Sequence, residues 1–250
     1  MKYSKIEWTE ATWNPSTGCN KVSAGCKNCY AETMAHRLQA MGAPGYENGF
    51  EFTLMPERLE MPTKIKKPTK FFVNSMSDLF HESMPYDFLD RVFDVIEATP
   101  QHKYQILTKR ELILEDYFAT RTVPDNVWLG VSVESSKTKH RIDYLRKIPA
   151  KIRFLSLEPL LEDVGLMDLS GIHWVIVGGE SGVKARPMKQ DWVVNIQKQC
   201  DKQGAAFFFK QWGTWGVDGV KRSKKANGRL FLGQEWNNEP GVNLGVVQNT

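Results

Sequence analysis

Three of the four cysteines fall within one short segment, Cys19-Asn-Lys-Val-Ser-Ala-Gly-Cys26-Lys-Asn-Cys29, a C-x6-C-x2-C pattern. Thiolates are the usual ligands of iron–sulfur clusters, and a C-x2-C spacing lets two sulfurs converge on one centre. Three ligands leave one iron of a [4Fe–4S] cluster open. An open iron is what a cluster that cleaves S-adenosylmethionine (SAM) needs, because the SAM amino and carboxylate groups bind there. A helix predicted from Tyr30 would turn its free N–H groups and positive dipole end towards the sulfurs. Zinc is the competing reading, with His36 as fourth ligand of a tetrahedral site. Three unrelated core thiols are the bland one. The tight clustering, with Gly18 and Gly25 each just before a cysteine, speaks against it. Cys200 falls on the apolar stripe of a helix and reads as core.

Polar residues also recur where predicted strands end. Asn74, Ser75, Ser77 and Asp78 follow one strand, and Thr108, Lys109 and Arg110 another. Ser132 with Glu134, Ser156 with Glu158, Glu180 with Ser181, and Lys210 with Gln211 follow four more. Residues two apart on a strand share a face, so Ser132/Glu134 and Ser156/Glu158 read as matching polar rungs. Carboxylates there can accept from ribose hydroxyls or the SAM amino group, with Glu134 or Ser132 the ribose candidates and Glu158 on the neighbouring rung. Lys109 or Arg110 can pair with the SAM carboxylate. Gly178-Gly179-Glu180-Ser181-Gly182 lets backbone approach a ligand closely. It lacks a phosphate-loop pattern, so it reads as a wall of the site, with Arg186 an anion contact.

These positions make sense only on a parallel α/β scaffold. The strand candidates are Phe71–Asn74, Tyr104–Leu107, Val127–Val133, Arg153–Leu157, Trp174–Val177 and Ala206–Lys210, with Ala11–Thr17 as a first strand. Few alternate cleanly, as expected for strands covered on both faces. Helical stripes lie between them: Leu89, Val92, Phe93 and Ile96; Ile142, Leu145 and Ile148; Trp192, Val193, Ile196 and Cys200. A helix over Tyr30–Met41, with stripe Met34, Leu38 and Met41, stops at Gly42. The alternation predicts a partial or complete parallel β/α barrel in a single domain of residues 1–250, with its core at about 11–212. Residues 43–70 read as an insertion after the first helix and 213–250 as a C-terminal extension. Trp128 and Trp174 read as packing inside strands. Trp212, Trp215 and Trp236 read as freer to meet a ligand or partner.

The chain has 250 residues, 41% hydrophobic and 25% charged, values ordinary for a globular protein. No apolar run suggests a membrane span, and MKYSKIEWTE lacks the apolar stretch of a signal peptide. The expected location is cytoplasmic. The net charge of +4 permits an anionic partner without requiring one. The densest basic run is Lys221, Arg222, Lys224 and Lys225, read as a solvated loop or a contact to nucleic acid.

Trp13-Asn14-Pro15, Thr17-Gly18-Cys19, Gly25-Cys26-x-x-Cys29-Tyr30-Ala31-Glu32, Asn74-Ser75-Met76-Ser77-Asp78 and Gly178-Gly179-Glu180-Ser181-Gly182 together resemble a phage-associated, three-cysteine-motif family of radical-SAM-like proteins. The match runs across essentially the whole chain. It implies a partial β/α barrel, a [4Fe–4S] cluster on Cys19, Cys26 and Cys29, SAM as cofactor and an electron donor as partner. The sequence departs from the superfamily's usual C-x3-C-x2-C pattern. The first gap is six residues, and Asn28 stands where an aromatic usually precedes the last cysteine, so the cluster loop is longer. A more distant resemblance to the spore photoproduct lyase group points to a nucleotide or nucleic-acid-related substrate. The implied activity is reductive cleavage of SAM to a 5′-deoxyadenosyl radical. Two alternatives stay open: a zinc enzyme or nucleic-acid-binding module using the cysteines structurally, and a non-catalytic partner that keeps the cluster.

Overall fold

The computed structural model describes Ser4 and residues 6–241. Residues 242–250 of the expected C-terminal extension lie outside them. In chain order the elements are β1 (Ala11–Trp13), β2 (Ser16–Thr17), α1 (Tyr30–Ala40), β3 (Thr53–Leu54), β4 (Lys70–Val73), α2 (Tyr86–Glu97), β5 (Lys103–Thr108), α3 (Glu111–Phe118), β6 (Val127–Ser132), α4 (Arg141–Lys147), β7 (Ile152–Leu157), β8 (Trp174–Gly178), α5 (Gln190–Gln203), β9 (Ala206–Gln211) and α6 (Lys224–Asn227).

Seven strands form one sheet in the order β1-β4-β5-β6-β7-β8-β9, and every neighbouring pair is parallel. Helices α2, α3, α4 and α5 all pack into one core on one face of the sheet, as right-handed crossovers between sequential neighbours require. The sheet therefore curls away from them into a half-barrel, with β1 and β9 as its two unjoined edges. Alternate residues divide the two faces. Phe71, Val73, Tyr104, Ile106, Leu129, Val131, Val175 and Val177 pack outward in the main core, with Leu89, Val92 and Ile96 of α2 and Val193 and Ile196 of α5. Phe72, Trp128, Phe154, Trp174, Ile176 and Phe208 face inward and close around Trp8 from the N-terminal segment. Gly130 lies on this inner face because the ring of Phe154 fills the space beside it; a Cβ would sit 2.5 Å from that ring.

Residues 238 and 239 pack against the N-terminal ends of β8 and β4. Trp174 Nε1 donates to Asn238 O at 2.8 Å, and Lys70 Nζ pairs with Glu239 at 2.6 Å. The other ends stay open for chemistry. The antiparallel pair β2–β3 belongs to the segment after β1 and to the insertion, and flanks that open mouth.

Some expectations need correction. The apolar stripe of α1 is Ala31 and Ala35, with Leu38 partly covered. Met34 and Met41 are 43% and 78% exposed. The helix packs so closely that small residues take the inside. Trp212 is buried against Phe209 and Phe231, and Trp236 packs on Phe207 and Phe231, so both are core of the C-terminal extension. No helix stands between β7 and β8; Leu160, Val164, Leu169 and Ile172 of that connection fill the core directly.

Candidate functional site

Ser16 and Thr17 of β2 carry the chain over the mouth, and the cysteine loop begins at Gly18. Its φ is +76°, and a Cβ there would lie 2.0 Å from Glu51 O, so only glycine fits. Met76 O accepts from Gly18 N at 3.0 Å, and Phe50 O accepts from Cys19 N at 3.1 Å. The loop thus starts wedged between the insertion and the segment after β4. It ends at Cys29, the residue capping α1 in extended conformation (φ −60°, ψ 125°).

Three strand ends hold the loop in between. Beyond β6, Glu134 is fully buried and accepts from Ser23 Oγ on one oxygen and from Arg141 NH1 on the other, at 2.9 Å. Gly25 presses onto it: a Cβ there would meet Glu134 Cγ and Oε1 at 2.5 Å. Burial raises the Glu134 pKa, but Lys109, Arg141 and the Ser23 bond outweigh it and keep the carboxyl below its ordinary value. Beyond β8, Glu180 accepts from Asn28 Nδ2 at 3.1 Å and from Arg186 Nε at 2.9 Å. Asn28 also donates to Lys184 O at 2.9 Å. Burial opposes the Glu180 charge, and the Arg186 and Asn28 bonds restore it, leaving the pKa lowered. Beyond β5, Arg110 NH1 donates to Cys19 Sγ at 3.5 Å, and NH2 bonds Asn20 Oδ1.

Glu134, Glu180 and Arg110 were candidates for contacting SAM. The structure brings all three to the mouth and gives each a partner in the cysteine loop. Gly179 lies against the residue that follows β9, where a Cβ would be 2.0 Å from Trp212 O. The remaining candidates sit at the tops of the strands and, among the described residues, make no hydrogen bond to the loop. Lys109 Nζ donates to Ser132 Oγ at 3.0 Å. Glu158 reaches across Gly178 to Lys210 Nζ at 2.5 Å. Its other oxygen, Oε1, is buried with no hydrogen-bond partner among the described residues, a costly state for a carboxylate. Tyr30, at the start of α1, donates to Ser75 O at 2.5 Å while 58% of the residue stays exposed.

Reading strand ends alone found the acceptors but missed their donors. Ser23 and Asn28 carry no local signal, because they meet their partners 111 and 152 residues away, whereas Arg141 lies only seven residues from Glu134. Asn28 was visible only as a departure from an aromatic pattern.

No cysteine is in a disulfide; Cys19, Cys26 and Cys29 are half-buried and Cys200 is buried. Among the described residues, no three His, Cys, Asp or Glu side chains gather closely enough for a single metal ion. Four-coordinate zinc, with Zn–S of about 2.3 Å, needs thiols about 3.8 Å apart. A four-iron cluster gives each thiolate its own iron and tolerates wider spacing. Three free thiols on one loop, with a charged donor on one sulfur, are a donor set that a [4Fe–4S] cluster would accept. His36 lines, with Cys19, Glu32, Phe52 and His81, a groove of about 700 Å³ on the outer flank of the loop that neither Cys26 nor Cys29 lines.

Burial pushes the Cys19 thiol up to about 11, aided by Asp78 and opposed by Arg110. Burial pushes Cys200 up to about 12. A raised pKa means less thiolate and slower alkylation. In metal-free protein, iodoacetamide should modify Cys26 and Cys29 first and Cys19 later, and Cys200 only after unfolding. Peptide mass spectrometry reads that order directly, and early labelling of Cys200 would contradict the packing of α5.

A parallel half-barrel with a thiol-bearing loop strapped across the C-terminal ends of its strands defines an α/β protein with a candidate site at the barrel mouth. The chain belongs to the DUF5131 family, described as "Protein of unknown function", whose profile matches residues 3–240. No curated protein sequence matches it. Among solved structures, spore photoproduct lyase complexed with dinucleoside spore photoproduct gives a TM-score of 0.46 at 15% identity. The alignment covers 81% of this chain and 64% of that one. A variant of that lyase with bound AdoMet and dinucleoside spore photoproduct gives 0.44 at 15% identity, with the same coverage. The chain thus spans just under two thirds of the length of these lyase chains.

Proposed function

We propose that this protein is a radical SAM-type enzyme in which Cys19, Cys26 and Cys29 hold a [4Fe–4S] cluster over the mouth of the half-barrel. The observation that carries the reading is the strapped loop: three free thiols held over the strand ends by Glu134, Glu180 and Arg110. When bound, the cluster supplies one-electron reductive cleavage of SAM to methionine and a hydrogen-abstracting 5′-deoxyadenosyl radical. The chain's own residues bind and orient. Glu158, with one oxygen lacking a donor, accepts a ligand N–H or hydroxyl. Lys109 and Ser132 offer an ammonium and a hydroxyl from adjacent strands, suited to the SAM carboxylate and ribose. Gly178 leaves room for Glu158 and Lys210 to meet above β8.

The substrate in this reading is a nucleotide or nucleic-acid-related molecule, and the protein needs an external electron donor. The exposed run Lys221, Arg222, Lys224 and Lys225 supplies positive charge for such a substrate, although Arg222 is paired with Asp218 and Lys224 reaches Glu7. Among the described residues no helix is long and apolar enough to cross a membrane. The test is anaerobic purification followed by iron, sulfide and zinc analysis. About four iron and four sulfide per chain are expected. Stoichiometric zinc without iron would overturn the reading.

A further inference from the structure

Among the described residues, of the three sulfurs only that of Cys19 accepts a hydrogen bond from a cation. Arg110 is 6% exposed, and its NH1 lies 3.5 Å from Cys19 Sγ and 3.4 Å from Asp78 Oδ2. Asp78 is itself fixed. It accepts from Thr108 Oγ1 at 2.7 Å, and from Phe80 N and Lys109 N at 3.0 Å each. Arg110 NH2 holds Asn20, the residue after Cys19. Cys26 meets only the Ser23 hydroxyl, at 3.8 Å, and no hydrogen-bond donor among the described residues reaches the Cys29 sulfur. The guanidinium is therefore locked from behind by a carboxylate and aimed at one ligand of the three.

We propose that Arg110 and Asp78 form a charge couple that sets the reduction potential of the cluster through the Cys19 sulfur. The inference rests on the cluster reading above. Hydrogen bonds to the sulfurs and net charge nearby are the protein's levers on a cluster's potential. A reduced cluster carries one more negative charge than an oxidised one. A cation on Cys19 favours the reduced state and raises the potential; the carboxylate behind it works the other way. Arg110 is a positioning residue here, acting on the cluster through Cys19.

Two variants of the reconstituted full chain separate this role from simple support of the loop. Arg110→Gln and Asp78→Asn are compared with the parent in the cluster-loaded fraction, with iron and sulfide measured, because Arg110 also holds the loop at Asn20. The midpoint potential, from anaerobic dye titration followed by electron paramagnetic resonance, should move to more negative values in Arg110→Gln. It should move to more positive values in Asp78→Asn. Arg110→Lys, which keeps the charge, should stay nearer the parent than Arg110→Gln. Support alone would shift both principal variants in one direction or only lower their metal content, and either result overturns the proposal. So do unmoved potentials in a loaded parent and loaded variants. A parent that loads no iron overturns the cluster reading, and this inference with it.

Discussion

Alanine at any one of Cys19, Cys26 or Cys29 is expected to abolish iron loading, whereas Cys200→Ala leaves it intact. The three thiols come from one loop, and that loop is set in place by Glu134, Glu180 and Arg110 independently of the sulfurs. Loss of one sulfur therefore leaves the loop standing but removes a ligand for which the site offers no substitute. Cys200 is fully buried on α5, some distance along the chain and on the convex side of the sheet. Its truncation costs packing, about 1 kcal/mol for a small buried group, and no metal. Iron and sulfide analysis of the four single variants decides the matter. Full iron and sulfide in two of the three loop variants would sink the assignment. His36→Ala sharpens the result. In the zinc reading it loosens the metal; in the cluster reading it leaves the metal in place, because His36 opens on a groove that Cys19, but neither Cys26 nor Cys29, lines.

The scaffold was legible in the sequence because parallel strands buried on both faces write themselves as short apolar runs. Val127–Val133 and Trp174–Val177 are within a residue of the strands observed. Leu89, Val92, Phe93 and Ile96 form the buried face of α2, as their spacing requires. Helix α3 went unread although Leu114, Tyr117 and Phe118 carry the same i, i+3, i+4 signal over eight residues. Short stripes are easily passed over between stronger ones. The site was half legible. Strand-end chemistry located Glu134, Glu158, Glu180, Lys109 and Arg110 at one mouth. It could not say which of them face a ligand and which face the loop. That division depends on the path of residues 19–29 in space, and nothing local encodes it. The two glycines before Cys19 and Cys26 were the visible trace of that path. Each marks a place where the loop presses against another part of the chain, Glu51 O in one case and Glu134 in the other.

That division predicts different losses from two carboxylates that looked alike in the sequence. SAM should bind only to protein that carries its cluster, and Glu158→Gln should weaken that binding by about one to two decades. The estimate is one charge-assisted hydrogen bond, roughly 1.5–3 kcal/mol, converted at about 1.4 kcal/mol per decade. Gln keeps the shape and removes the charge, so packing over Gly178 is preserved. Glu134→Gln should act earlier and elsewhere. Its two oxygens are already taken by Ser23 and Arg141. Losing the charge leaves Arg141 with Glu111 as its remaining carboxylate, at 3.1 Å, and slackens the loop beneath Gly25. Its expected signature is faster iron loss on chelator challenge, with near-parental SAM affinity in the fraction that stays loaded. Calorimetry under anaerobic conditions measures the first effect and iron release the second. Parental affinity in Glu158→Gln would remove the ligand from the Glu158–Lys210 side of the mouth while leaving the fold untouched. A fully loaded, reduced protein that neither binds SAM nor forms 5′-deoxyadenosine would end the enzyme reading itself.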